Sequence, residues 1–298
     1  MEKKLKAPHI YTPKNMTGLL GLYRKMPQSL LYGGGTGILW NQHRREIDLS
    51  GTIISLREVP ELNFISRTES YLEIGAMAPL NRILGIGPHV VAPALHQALE
   101  QIGNAVSRNF ATLGGNLARR ESWGDLLPIL LVLEVRVELR RQGTAVWIPL
   151  ARLTERTPLF MEGELITRIR IPLEEWNCQL YQKFGARQYG MENRMALAAL
   201  GKVQKGEIAR FRFALGLGSG VIIRNRELEN SVEGKKLPLP DRELLILDEL
   251  LDQSLEKIHP PLTAVQKQLY RRSLHWFLQR TALSPVEAAP GNRRRLSL

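Results

Sequence analysis

The chain has almost no cysteine. Cys178 is the single one in 298 residues. No internal disulfide can form, and an iron–sulfur cluster held by this chain alone is excluded, because such clusters take about four thiolates. Long apolar runs are also missing. The longest, Leu126–Leu133, carries Pro128 and falls well short of the roughly 18–20 residues that a membrane span needs. Met1–Lys6 is basic, but no apolar stretch follows, so it does not read as a signal peptide. The six histidines (His9, His43, His89, His96, His259 and His275) show no metal-ligand spacing. Aromatic residues are scarce at 6% and do not alternate with basic ones as in a single-strand binder. These absences predict a soluble, cytoplasmic chain with no metal site and no nucleic-acid ligand.

Acid is in short supply as well. The net charge is +12, a field that draws anions: an anionic cofactor or an acidic partner subunit. The basic residues are spread along the chain apart from a cluster at Arg293–Arg295. Apolar residues make up 44%, enough for a packed core in one large domain or two ordinary ones.

The pattern along the chain is mixed helix and strand, an α+β class. Residues 9–11 and Ser29–Tyr32 read as strands. Thr12 is placed to cap a helix that begins at Pro13. Glu46–Leu49, Asn63–Ile65 and Tyr71–Ile74 are short strand candidates. Ala92–Ile102 has helical spacing, a loop is expected over Gly103–Asn116, and Leu126–Leu133 reads as a buried helix. Val135–Leu139 and Glu164–Ile171 alternate as strands. Beyond Pro172 the texture changes to three strands (Gln179–Phe184, Met195–Lys202, Phe211–Leu217) and two helices over 240–256 and 261–281. We place a first domain at 1–175, a second at 176–285, and a basic tail at 286–298.

Two glycine-rich stretches carry the chemistry. A diphosphate needs several N–H donors aimed at one place and a backbone that can come close, and glycine permits both. Gly33-Gly34-Gly35-Thr36-Gly37-Ile38 follows a strand and suits that task, although a plain tight turn explains it too. It is neither a G-x-G-x-x-G fingerprint nor a Walker A loop. The second stretch puts Thr112, Leu113, Gly114, Gly115 and Asn116 side by side, and Asp125 follows before the apolar helix. Thr and Asn side chains suit phosphate or ribityl oxygens. Asp125 suits a sugar hydroxyl, or alternatively a helix N-cap.

At these residues the chain resembles the FAD-binding (medium) subunit of the molybdenum hydroxylases, the molybdopterin dehydrogenase family that includes the flavin subunits of xanthine and carbon monoxide dehydrogenases. The motifs are Gly34-Gly35-Thr36-Gly37-Ile38, then Ile74-Gly75-Ala76, then Arg108-Asn109-Phe110-Ala111-Thr112-Leu113-Gly114-Gly115-Asn116, then Asp125-Leu126-Leu127-Pro128, and Lys183-Phe184-Gly185-Ala186-Arg187. They run in the family's order to about residue 280.

The resemblance implies an FAD-binding domain of the p-cresol methylhydroxylase type in two subdomains, followed by a C-terminal three-stranded antiparallel sheet with helices. It implies non-covalent FAD, with Gly33–Ile38 and Thr112–Asn116 on the diphosphate and adenosine end. It further implies that Asp125 binds a cofactor hydroxyl, that Ile102 and Ile166 pack on the cofactor, and that Lys183 reaches it; a solvated lysine is the plain alternative. The implied role is electron transfer from the [2Fe–2S] clusters of an iron–sulfur subunit, in complex with a molybdopterin subunit, to NAD or another acceptor, so the resemblance implies no nucleophile or acid–base pair of the hydrolytic kind within this chain. A scaffold subunit that lost FAD and a stand-alone FAD oxidoreductase remain open. Two departures stand out. Gly37 replaces the family's acidic residue, leaving the first loop one polar contact short. The acid expected after Arg187 is displaced or absent in Tyr189–Arg194.

Overall fold

The computed structural model describes residues 7–40, 49, 51–119, 123–185, 194–259 and 261–283. Most of the expected strand at Glu46–Leu49, the segment holding Arg187 and Tyr189–Asn193, and the tail lie outside them. Contacts divide the chain into two compact units. The first is Met1–Glu174 with Tyr181–Leu197 and Ala214–Ile222; the second is Glu175–Leu180, Ala198–Phe213 and Ile223–Leu298. The strand segments after residue 175 are thus shared out between the units.

The first unit begins with a parallel sheet of order β1-β3-β2, built from β1 (His9–Tyr11), β2 (Leu30–Tyr32) and β3 (Thr52–Ser55). Parallel neighbours need a crossover. Helix α1 (Met16–Lys25) carries the chain from β1 to β2, the two strands that flank β3. Asn15, not Thr12, caps α1: its side chain accepts from Gly18 N–H at 2.8 Å. The helix therefore starts three residues later than Pro13 suggested. Helix α2 (Thr36–Trp40) takes in the last three residues of the first glycine stretch, Thr36–Ile38.

A five-stranded sheet of order β4-β5-β8-β6-β7 follows. Its members are β4 (Ile65–Arg67), β5 (Tyr71–Gly75), β6 (Arg136–Arg141), β7 (Thr144–Pro149) and β8 (Leu165–Pro172), all antiparallel to their neighbours. Alternation sends Leu72, Ile74, Val137, Ile169 and Ile171 into the core. The facing residues are charged and paired across strands. Glu73 accepts from Arg168 at 3.1 Å and from Arg170 at 2.7 Å, and Arg170 lies between the Trp147 and Tyr71 rings at 4.0 and 4.6 Å. A one-residue slip would break these pairs and expose the apolar set, so register is tightly fixed. Strand β7 was not read from sequence, because its outer residues are exposed and do not alternate. The turn before it, Gln142-Gly143, has positive φ at both positions, as a two-residue hairpin requires.

Helices α3 (Leu80–Leu84), α4 (Pro93–Glu100), α5 (Ala105–Phe110), α6 (Leu113–Leu117), α7 (Trp123–Val132) and α8 (Leu150–Thr154) complete this part. The expected loop over Gly103–Asn116 is instead two short helices. Side-chain caps make them possible: Asn104 accepts from Ser107 N–H at 2.8 Å, and Thr112 from Gly115 N–H at 3.1 Å. In α7, Leu126, Leu127, Ile129, Leu130, Leu131 and Val132 are all buried. A helix apolar all round belongs in an interior.

The C-terminal sheet has β9 (Cys178–Phe184), β10 (Met195–Gln204), β11 (Glu207–Leu217) and β12 (Ile222–Ile223), in the order β12-β11-β10-β9. The three expected strands are present. The fourth, β12, is two residues long and too short to show a period. Helices α9 (Arg226–Val232), α10 (Asp241–Glu256) and α11 (Ala264–Leu283) follow. In the second unit Phe211 packs against Phe213 and Phe277. Buried Glu229 accepts from Phe213 N–H at 2.9 Å and pairs with Arg224 at 2.7 Å.

Candidate functional site

Strand β2 ends at Tyr32, and the chain turns at once through Gly33–Gly35 into α2. Gly35 has φ +73°, which glycine adopts without a Cβ clash. Gly34 serves closeness rather than freedom. A Cβ built there would stand 1.5 Å from the carbonyl oxygen of Phe110. The two glycine-rich segments therefore meet backbone against backbone. Gly114 plays the same part on the other side, where a Cβ would lie 2.6 Å from the Ala76 Cβ.

The amides of the two segments are used differently. In the second, Leu113 and Gly114 N–H donate to the carbonyls of Ala78 and Ala76, Asn116 N–H to Thr112 O, and Gly115 N–H to the Thr112 hydroxyl. Its donors are therefore consumed by the fold. What it offers outward is the Thr112 O–H, the Asn116 side chain and a smooth glycine surface. In the first segment the N–H groups of Gly34, Gly35, Thr36 and Gly37 have no hydrogen-bond partner among the described residues. Of the two segments that suggested a phosphate site, only the first has unpartnered amides.

Both segments line one cavity of about 780 Å³. That lies within the roughly 300–1,000 Å³ range of ligand pockets. Gly33–Ile38, Thr112, Gly114, Gly115, Asn116 and Ile166 all face it. Leu113 does not: it is buried beneath the loop. Beyond the glycines, Leu31, Leu56, Leu159 and Phe160 give the cavity apolar walls. Two buried polar atoms on its lining, Ser29 Oγ and Asn116 Oδ1, have no hydrogen-bond partner. Such orphans are costly unless a ligand or water satisfies them. Arg119 is the one cation among the described lining residues and Glu164 the one carboxylate. Glu164 is already engaged, with Arg156 at 2.9 Å and Met161 N–H at 3.0 Å. Burial, reinforced by Glu162 and Glu164, pushes the Tyr23 phenol above its ordinary range, so it stays neutral on the cavity wall.

Arg108 and Asn109 of the same motif hold the scaffold. Arg108 donates to the carbonyls of Glu100 and Ile102 at 3.1 and 2.9 Å, and Asn109 accepts from Asn81 at 2.9 Å.

Asp125 and Lys183 form a separate cluster outside the cavity lining. Asp125 sits in the first turn of α7 rather than at its cap. Its carboxylate pairs with Lys183 at 2.6 Å and Arg194 at 3.4 Å, and its carbonyl accepts from the Tyr181 hydroxyl at 2.9 Å. Lys183 also donates to Gln101 O, next to Ile102, at 3.3 Å. Burial and the Asp125 charge raise the Tyr181 phenol well above its ordinary range, which keeps it a donor. Neither Arg119 nor Ser29 is among the site residues expected from the sequence. Among the described residues no group of His, Cys, Asp and Glu could hold a metal ion, and no helix is long and apolar enough to cross a membrane.

A mixed fold whose cavity is floored by two glycine segments suits a dinucleotide-like cofactor. Carbon monoxide dehydrogenase from Hydrogenophaga pseudoflava contains a chain of the same fold, with TM-score 0.76 and 19% identity over 93% of this chain and 96% of that one. Residues 4–174 match the family described as the FAD binding domain in molybdopterin dehydrogenase, and the chain belongs to that family of oxidoreductase flavoproteins. The glyceraldehyde dehydrogenase medium chain of Sulfolobus acidocaldarius is 26% identical, with 78% of this chain and 82% of that one covered. The xanthine dehydrogenase FAD-binding subunit of Escherichia coli O157:H7 is 22% identical, with 92% and 94% covered. Other relatives are far longer, and the match spans only 13% of one of them.

Proposed function

We propose that this chain is the FAD-carrying electron-transfer subunit of a molybdenum hydroxylase complex. It takes electrons from the [2Fe–2S] clusters of a partner subunit and hands them to NAD or another acceptor; molybdopterin belongs to a further subunit. The observation that carries the reading is the cavity. It combines a run of unpartnered amides over Gly34–Gly37, a glycine surface, two orphaned polar atoms and apolar walls. An elongated ligand with a charged centre and flat, apolar rings fits that lining.

FAD, when bound, supplies the redox chemistry. The chain's own residues hold it. The Gly34–Gly37 amides donate to phosphate oxygens. The Thr112 hydroxyl and Asn116 amide add polar contacts, and Ile38 and Ile166 close on the cofactor's apolar surface. Asp125, Lys183 and Ile102 are retained as contacts for the rest of the cofactor, which requires Asp125 to share its carboxylate between its cations and a cofactor hydroxyl. Relatives described as a medium chain and an FAD-binding subunit support a multichain enzyme.

The test is purification of the chain from its native host, followed by its absorbance and its companions. Flavin bands that persist through gel filtration, with co-eluting iron–sulfur and molybdopterin chains, are expected. A colourless chain that cannot be loaded with FAD would leave only the scaffold reading. A yellow chain that elutes alone, in cells expressing such partners, would favour a stand-alone oxidoreductase.

A further inference from the structure

Gly37 stands where the resemblance implies an acid, and the structure shows what lies against it. A Cβ built on Gly37 would stand 2.7 Å from Arg119 Cδ and 3.1 Å from both Nε and Nη1. The Arg119 side chain therefore lies against the glycine, and a side chain at 37 would make it shift. Both residues line the cavity. Arg119 is the one cation on the described lining and sits beside the loop whose amides have no partners.

We infer that Arg119 is a diphosphate-binding residue, and that Gly37 is glycine so that the guanidinium can lie there. A family acid at 37 would repel a diphosphate and accept from hydroxyls. Glycine with an adjacent arginine inverts that charge and adds planar N–H donors suited to phosphate oxygens. The missing acid thus marks a changed way of holding the cofactor's anionic centre, not a weakened site. This deepens the FAD reading and rests on it.

The test compares wild type with Arg119→Ala, Arg119→Lys, Gly37→Ala and the double variant Gly37→Ala/Arg119→Ala. Each is titrated with FAD and with riboflavin, which lacks phosphate, and the FAD-free proteins are melted. Losing one charge-assisted contact weakens FAD binding about 10- to 100-fold in Arg119→Ala. Riboflavin affinity should stay unchanged, and Arg119→Lys should retain part of the affinity. Gly37→Ala displaces the guanidinium. It should weaken FAD binding where Arg119 is present but not where the arginine has already been removed, a non-additivity the cycle reads directly. Unchanged FAD affinity in Arg119→Ala, or equal losses for FAD and riboflavin, overturns the assignment while leaving the FAD reading intact. A folded wild-type chain that binds neither ligand overturns both.

Discussion

The carbonyl of Phe110 lies where a side chain on Gly34 would have to be, 1.5 Å from the position of its Cβ. This contact joins the two glycine segments. The two approach backbone to backbone here, with no room for a side chain between them. Gly34→Ala must therefore part the segments. We expect a loss of at least about 3 kcal/mol in stability, the upper range for overpacking, together with loss of FAD retention. Gly115→Ala is the contrast. Gly115 is exposed, and a Cβ there meets only the Thr112 hydroxyl at 2.8 Å. It should cost about 1 kcal/mol, the scale of a disturbed helix cap. Urea unfolding of both variants checks the ordering.

Ser29 is buried on the cavity wall, and its hydroxyl has no partner. Ser29→Ala removes an unsatisfied group from the ligand-free protein. Its melting temperature should hold or rise, while FAD affinity falls about tenfold, as expected for one lost hydrogen bond. Equal FAD affinity in the variant would mean that the hydroxyl does not meet the cofactor.

Asp125 stands between two cations, Lys183 and Arg194, with both its carboxylate and the Lys183 amine largely buried. Removing the acid leaves two partly buried charges without it. Asp125→Asn should destabilise the chain by about 3 kcal/mol, read by denaturant melts. If the carboxylate also binds a cofactor hydroxyl, FAD affinity of the folded variant should drop as well. An affinity equal to wild type would confine Asp125 to the ion cluster.

Burial pushes the Cys178 thiol above its ordinary range. Its folded pKa is therefore above its unfolded one. The stability this contributes is complete below about pH 8.5 and is lost as pH rises through the folded value. At pH 8 the native thiol should react with iodoacetamide at least about tenfold more slowly than the unfolded thiol. Equal rates would show that the thiol is reached without unfolding.

The glycine motifs were legible because only glycine meets their geometric demand, and the core was legible from alternation and from the apolar run in α7. The division of labour between the loops was not. Both are equally rich in glycine, and only the fold reveals that Ala76 and Ala78 consume the amides of the second. Thr112–Asn116, with its fuller motif, looked like the better phosphate site, yet its donors are engaged and those of Gly34–Gly37 are not. Caps hid the helices α5 and α6, since Asn and Thr also suit loops. Arg119 and Ser29 lie outside both glycine runs, so only folding brings them to the same wall. Gly37 read as a missing contact because its replacement comes from a residue distant in the sequence.

The most direct measurement is an experimental structure of this chain with FAD. The account predicts one FAD in the cavity, its diphosphate within hydrogen-bonding distance of the Gly34–Gly37 amides and beside Arg119. A flavin seated elsewhere, or a diphosphate away from those amides, would contradict it.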